Sequence, residues 1–179
     1  QQEVLDKALV LHVVDADRSG VIVVTSELTV ANRATLDQAG LPVVVIDPVA
    51  MPGPDLPSVG ATNWAGGLAA TEHLTQLGHR RIAMIGGPES FLCSRARIAG
   101  YRAALERAGV VPTQDLVRHG NFHHVGGYEA ALDLLQLADR PTAIFAGSDE
   151  QALGTIEAAR QLGLSVPGDL SVVGFDDLP

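Results

Sequence analysis

The sequence is poor in the features that crosslinked and membrane-spanning proteins need. Its 179 residues include a single cysteine, Cys93, which excludes a disulfide framework and a four-cysteine zinc site. No apolar run approaches the roughly 18 residues of a membrane span. The segment Gln1–Lys7 has no apolar stretch behind a basic one, so no signal peptide is indicated. Hydrophobic residues make up 46% and charged residues 18%, which excludes wholesale disorder and predicts one domain or two small lobes.

Positive charge is also scarce. Lys and Arg total 12 against 21 Asp and Glu, for a net charge of -9, and the longest basic run is Arg80–Arg81. Binding nucleic acid requires a positive face that displaces counterions from phosphates. The chain supplies no such face by itself, and binding to an anionic membrane surface is excluded on the same ground.

Short β-branched runs alternate with helical stretches along the chain. Continuous apolar runs are typical of strands in parallel sheets that are covered on both faces. The predicted strands are 21–25, 43–46, 82–85, 116–119, 142–146 and 170–175. The predicted helices are 3–13, 28–39, 63–77, 94–108, 125–137 and one that begins at Ser148 or Asp149 and ends near 162. This alternation predicts an α/β fold whose strands run in the same direction.

Four of the predicted helices end with the same kind of sequence. A glycine follows the last helical residue and precedes the next strand or its approach, at Gly40, Gly78, Gly109 and Gly163. Glycine adopts the left-handed conformation that closes a helix, because it has no Cβ atom. These positions are therefore predicted to be helix ends.

Polar residues follow the predicted strands, at the positions where ligands of parallel sheets bind. These residues, with an arginine from the helix after Gly87, form a candidate site of Ser26, Asp47, Arg97, Phe122, Ser148, Asp149 and Asp176. Asp accepts hydrogen bonds from paired hydroxyls, Arg donates through its fork, and Phe packs on the face of a ring. This combination suits a neutral, polyhydroxylated ligand.

Each candidate also has a structural interpretation. Helix capping alone would account for Ser94, Ser148 and Asp149. Phe122 is compatible with a core position and Asp176 with a solvated turn. The positive charge of Arg97 near the start of a helix interacts unfavourably with the helix dipole. This placement indicates that Arg97 has a binding partner.

Signatures of catalysis are absent from the sequence. Gly-x-Gly-x-x-Gly and Gly-x-Ser-x-Gly do not occur, and the only lysine, Lys7, has no glycine before it as a P-loop requires. Histidines 119, 123 and 124 lack a metal-binding spacing and are interpreted as a loop at the rim of the site. Cys93 is interpreted as packing. The sequence therefore predicts a binding domain that is not an enzyme and has no metal or cofactor.

Six segments share their pattern and order with a known protein family. They are Ser58–Gly67, Ala70–Leu74, Leu77–Pro88, Arg97–Leu105, Pro141–Ala146 and Val166–Asp177. Together they resemble bacterial transcription regulators of the lactose-repressor (LacI/GalR) family. The resemblance implies a type I periplasmic-binding-protein fold, with two lobes of parallel sheet flanked by helices and the effector between them. Residues 1–79 would be a partial first lobe, and residues 80–179 would form the second lobe.

The resemblance also implies roles for individual residues. Arg97 and Asp176 correspond to the pair that grips the effector, and Phe122 to an aromatic residue that stacks on it. Ser148 corresponds to a position that faces the site and is Asn in many relatives. A contact in which the Asn amide both donates and accepts hydrogen bonds is therefore lost here. The segment Asn121–His124 departs from the acidic sequence common in the family.

The function implied is effector sensing for a DNA-binding transcription regulator, with lobe closure controlling operator binding. The implied partners are a sugar or nucleoside effector, operator DNA contacted through a headpiece missing from this sequence, and a second copy in a homodimer in the cytoplasm. The chain resembles an effector domain truncated at both ends, which predicts exposed apolar surface on the first lobe. Alternatives are a solute-binding protein of a sugar transporter and an α/β enzyme.

Overall fold

The chain forms two units of alternating strands and helices, one ending at Ala61 and one beginning at Thr62. The computed structural model describes residues 6–16, 18–24 and 27–178. The helices are α1 (Lys7–Asp15), α2 (Val30–Gln38), α3 (Asn63–Gln76), α4 (Leu92–Arg107), α5 (His124–Leu135) and α6 (Asp149–Gln161). The strands are β1 (Val21–Val24), β2 (Val43–Ile46), β3 (Ser58–Val59), β4 (Ile82–Gly86), β5 (Val117–His119), β6 (Ala143–Ala146) and β7 (Ser171–Val173). Over these residues, no helix has the length and apolarity needed to cross a bilayer.

The first unit contains a three-stranded parallel sheet with the strand order β1-β2-β3. Its core joins side chains of α1 and α2 to the inward-facing valines of the strands, and consists of Val10, Val23, Leu36, Val43 and Val45. The outward side chains of β1, Ile22 and Val24, are 67% and 52% exposed. Strand β1 therefore presents apolar side chains to solvent.

The second unit is built on a four-stranded parallel sheet with the order β5-β4-β6-β7. Every residue of β4 and β6 is buried, because helices cover both faces of the sheet. Met84 and Phe145 pack with side chains of α3 and α4 on one face. Ile85 and Ile144 pack with side chains of α5 and α6 on the other. The predicted α/β architecture with parallel strands is confirmed, and the strands lie in two separate sheets.

Tyr101 anchors α4 to the sheet beneath it. The side chain is fully buried, and its hydroxyl donates a hydrogen bond of 2.7 Å to the carbonyl oxygen of Ile82 at the start of β4. Burial raises the pKa of Tyr101 well above its ordinary value, since a buried phenolate would lose its hydration. The phenol therefore remains a hydrogen-bond donor throughout the physiological pH range.

Helices α3 and α4 touch backbone to backbone. A Cβ atom on Gly100 would lie 2.6 Å from the amide nitrogen of Leu68. A Cβ atom on Gly67 would lie 3.0 Å from the carbonyl carbon of Arg97. Because any larger residue would force the helices apart, glycine at both positions sets the distance between them.

Helices α5 and α6 repeat this arrangement on the opposite face of the sheet. A Cβ atom on Gly154 would lie 2.6 Å from the amide nitrogen of Tyr128, and one on Gly127 would lie 2.5 Å from Cα of Gln151. Each face of the sheet is therefore covered by a helix pair that reciprocal glycines hold in close contact.

The four predicted glycine helix ends are confirmed. Gly40, Gly78, Gly109 and Gly163 have φ angles of 68°, 95°, 68° and 75°. The chain then closes each helix with backbone hydrogen bonds, as where the amide of His79 donates 3.2 Å to the carbonyl oxygen of Leu74.

The predicted lobe boundary, between residues 79 and 80, differs from the point at which the two units separate. Helix α3 accounts for the difference, because it packs along α4 and so belongs to the second unit. The assignment of lobes to residues 1–79 and 80–179 stays a prediction of the resemblance. Strand β3 was not predicted, because two exposed residues form no apolar run.

Two predicted helix starts have different outcomes. Ser94 does not cap α4, whose N-cap is Phe91; the Ser94 hydroxyl instead donates 3.1 Å to the carbonyl oxygen of Gly87. Ser148 does cap α6, since its side chain accepts a hydrogen bond from the amide of Gln151. Asp149 is the first helical residue and not the cap.

The Gly40→Ala variant is expected to lose about 1 kcal/mol of unfolding free energy, because alanine resists the left-handed backbone. A Cβ atom at Gly40 would meet nothing within 4 Å, so the cost is conformational alone. Urea denaturation measures the loss. Gly53→Ala is the matched control, because Gly53 also faces open space but has no positive φ. Equal losses in the two variants would contradict this explanation.

The Gly100→Ala variant tests the contact between α3 and α4. Helix propensity alone would make alanine stabilising by about 1 kcal/mol, whereas overpacking against Leu68 is expected to cost about 2–3 kcal/mol. Thermal or urea unfolding gives the sign directly, with Ala99→Ser as a control at an exposed position of the same helix. A variant more stable than the parent would show that the helices separate freely.

Candidate functional site

A buried arginine lies at the carboxyl end of the sheet in the second unit. Arg97 projects from α4 and is only 7% exposed. Its Nε donates 2.8 Å to Oδ1 of Asn63, and its Nη1 donates to the carbonyl oxygen of Gly147. Its Nη2 lies 3.3 Å from Oδ1 of Asp176. The guanidinium therefore joins α3, the end of β6 and the segment after β7, and these partners compensate for its burial.

Two aromatic rings approach the same guanidinium. Cζ of Arg97 lies 3.7 Å from the ring centroid of Phe175 and 5.4 Å from that of Phe122. Both distances fall within the range of cation–π attraction. Arg97 is thus held by rings as well as by hydrogen bonds, so its orientation is fixed before any ligand arrives.

Phe122 follows β5 on a left-handed backbone with φ of 65°. Its ring lies against Gly87, where a Cβ atom would overlap the ring. The ring centroid is 6.3 Å from that of Phe91. Phe122 is half-buried, and an aromatic ring can stack on the flat face of a ligand.

Asp176 lies beyond the end of β7 with its side chain partly open to solvent. Its φ is 110°, and that of Asp177 is 57°, so two successive residues adopt conformations that side chains disfavour. Such strain persists only where surrounding contacts enforce it, and it concentrates at functional sites. The carboxylate is paired with Arg97 and is also exposed, which allows it to accept a hydrogen bond from a ligand.

Ser148 and Asp149 connect the start of α6 to the two loops of the site. The hydroxyl of Ser148 donates 2.6 Å to the carbonyl oxygen of Phe122. Oδ2 of Asp149 accepts a 2.8 Å hydrogen bond from the amide of Leu178. Both side chains therefore have partners within the protein.

Five of the seven predicted site residues lie together, namely Arg97, Phe122, Ser148, Asp149 and Asp176. Asp47 belongs to the first unit, where its φ is 46° and its Oδ1 accepts a 2.9 Å hydrogen bond from the amide of Ala61. Ser26 lies outside the described residues. The predicted role of these seven residues in ligand binding stays a prediction.

Two residues that hold Arg97 were not among the predicted site residues. Asn63 had only the signal of a helix cap, yet its amide oxygen accepts from the guanidinium. Phe175 completes an apolar run, so its sequence indicates a core residue. Its position directly before Asp176 was the one signal that could have placed it at the site.

Two of the three clustered histidines, His123 and His124, lie beside carboxylates of α6. Nδ1 of His123 lies 3.2 Å from Oε2 of Glu150, and Nε2 of His124 lies 3.0 Å from Oε2 of Glu157. Across the described part of the chain, no group of three or more His, Cys, Asp or Glu side chains is placed to hold a metal ion.

The arrangement offers a hydrogen-bonding edge beside an apolar surface. The charges of Arg97 and Asp176 offset each other within their ion pair. The exposed carboxylate accepts from hydroxyl groups, and Phe122 provides a flat apolar face. A neutral ligand with hydroxyls on a ring matches both parts.

Known proteins are similar to this chain in sequence and in fold. The profile of the family described as the periplasmic binding protein-like domain matches residues 71–179. The chain is 37% identical over 142 residues to the HTH-type transcriptional repressor CytR of Escherichia coli (strain K12), covering 79% of this chain and 42% of that protein. The chain thus spans less than half the length of this repressor.

Two solved structures have the same fold over almost the entire chain. One is a complex of the transcriptional regulator CelR with cellobiose, with a TM-score of 0.87 and 35% identity, covering 96% of this chain and 53% of that one. The other is a regulatory protein of the LacI family from Chloroflexus aggregans, with a TM-score of 0.85 and 29% identity, covering 96% and 62%.

The Arg97→Lys variant is expected to lower the free energy of unfolding by about 1–3 kcal/mol, because a lysine cannot reproduce the planar fork that reaches three partners. Chemical denaturation measures the loss. Arg95→Lys is the matched control, since Arg95 is an exposed arginine on the same helix. If both variants keep the parent stability, the contacts of Arg97 do not support the fold.

Proposed function

Since this chain belongs to the family of periplasmic binding protein-like domains, in the form found in LacI-family regulators, we propose that it senses a small-molecule effector for a DNA-binding transcription regulator. One observation carries the proposal: Arg97, Phe122 and Asp176 converge at the carboxyl end of a parallel sheet. Ligands of open parallel sheets bind at this end.

The effector class follows from the chemistry of these side chains. A sugar or a nucleoside offers vicinal hydroxyls for Asp176 and a ring for Phe122. The cellobiose in the CelR complex belongs to this chemical class. We therefore assign a neutral sugar or nucleoside to the site.

The regulator acts through coupling between effector and operator binding. An effector that binds one conformation of the sensor more tightly shifts the population toward it, and the change in operator affinity is reciprocal. With a net charge of -9, this chain does not provide a DNA-binding face, so a separate headpiece contacts the operator. A homodimer in the cytoplasm would present two headpieces to a pseudo-palindromic operator.

Relatives of the chain favour this function over solute delivery to a transporter. The similar proteins are a transcriptional repressor and two transcription regulators. The P-loop, Gly-x-Gly-x-x-Gly and Gly-x-Ser-x-Gly motifs of phosphate-binding and hydrolytic enzymes do not occur in the sequence, which argues against those enzyme classes.

Titration calorimetry of the chain with cellobiose, ribose, adenosine and cytidine tests the proposal. At least one is expected to bind, and Asp176→Asn is expected to weaken that binding about tenfold or more, because a charged acceptor is lost. Phe122→Leu is expected to weaken it by a smaller factor, since stacking contributes about 0.5–1.5 kcal/mol.

Arg95→Lys serves as the control and should bind like the parent, because its side chain is exposed on α4. Binding that is unaffected by both site variants would place the effector elsewhere. The absence of binding to the whole panel would remove sugars and nucleosides as the effector class.

A further inference from the structure

Ser148 and Asp149, adjacent at the start of α6, each hold a different loop of the candidate site. We propose that these two residues are positioning residues that fix Phe122 and Asp176 in their strained conformations, and that neither contacts the effector directly. This inference rests on the proposed function, and it reverses the ligand-binding role that the sequence predicted for both residues.

The hydroxyl of Ser148 already makes two hydrogen bonds within the protein. It donates its only hydrogen to the carbonyl oxygen of Phe122 at 2.6 Å, and it accepts from the amide of Gln151 at 3.1 Å. The residue is only 4% exposed. Ser148 therefore has no hydrogen left to donate to a ligand, and it ties the backbone of Phe122 to the first turn of α6.

The carboxylate of Asp149 contacts the chain both before and after Asp176. Oδ2 accepts the amide of Leu178 at 2.8 Å, and Oδ1 lies against Gly174, where a Cβ atom would overlap it. Asp176 stands midway between these two contacts. The helix dipole stabilises the negative charge of Asp149, which lies in the first turn of α6.

The residues that are held this way are the strained ones. Phe122 has φ of 65°, Asp176 of 110° and Asp177 of 57°. A side-chain-bearing residue leaves such conformations unless neighbouring contacts enforce them. We call the hydrogen bond from Ser148 to Phe122 and that from Leu178 to Asp149 the two ties. Loss of either tie would let the corresponding loop relax, and Phe122 or Asp176 would then be misplaced for contact with the effector.

A double-mutant cycle on effector affinity distinguishes positioning from direct contact. Asp149→Ala is expected to weaken binding about tenfold in the parent, and by less than about twofold in an Asp176→Ala background, because it acts only through Asp176. Ser148→Ala is expected to behave in the same way with Phe122→Ala. Across the two loops, Ser148→Ala combined with Asp176→Ala should give additive losses.

Two further variants separate positioning from a general loss of stability. Asp149→Asn retains an acceptor for the amide of Leu178 and should restore most of the affinity. Asp169→Ala removes a matched carboxylate that accepts the amide of Ser165 at 2.9 Å, ahead of β7 at the opposite end of the sheet. It should lower the melting temperature and leave the effector affinity unchanged.

NMR without a ligand tests the two ties even if no probe of the panel binds. The amide of Leu178 should be protected from hydrogen exchange in the parent and in Asp149→Asn, and unprotected in Asp149→Ala. The carbonyl carbon resonance of Phe122 should move in Ser148→Ala. An unprotected Leu178 amide or an unmoved Phe122 resonance would overturn the corresponding tie, and affinity losses that add within a loop would overturn positioning in favour of contact. Failure of every probe to bind, with both ties confirmed, would count against the proposed effector class alone.

Discussion

Backbone contact between α3 and α4 is the constraint on which the candidate site depends. The contact at Gly67 falls on the backbone of Arg97, so the approach of α3 sets the position of this arginine. Asn63, one turn earlier on α3, then meets Nε of the guanidinium. A wider spacing would leave a buried cation without one of its partners, which is among the costlier defects in a protein interior. The close packing of α3 and α4 is therefore also what allows Asn63 to contact Arg97.

The other helix pair supports the two loops in the same manner. Gly127 lets α5 approach α6 at Gln151, whose amide in turn donates to Ser148. The start of α6 is thus packed against α5. From there, Ser148 contacts the segment of Phe122 and Asp149 contacts the segment of Asp176. Hydrogen bonds thus connect the helices to the loops that carry Phe122 and Asp176.

Much of the fold could be predicted from sequence, because the signals were local. Continuous apolar runs marked β4 and β6, and glycines marked four helix ends. The candidate site was predicted in part. The resemblance to a family indicated Arg97, Phe122 and Asp176 as site residues, and the structure brings these three together. The contributions of Asn63 and Phe175 were not predicted, since the sequence around Asn63 is typical of a helix start and that around Phe175 of a core strand. Their roles arise from tertiary contacts that leave no periodic pattern.

The way Asp149 and Ser148 hold the loops has a consequence for how a sensor of the proposed kind would diverge. Both ties end on main-chain atoms, the amide of Leu178 and the carbonyl of Phe122. Main-chain atoms are the same whatever residue occupies a position, so exchanging a ligand-facing side chain leaves each tie intact. Effector preference can therefore drift through single substitutions at the loops, while the scaffold that presents them is inherited unchanged.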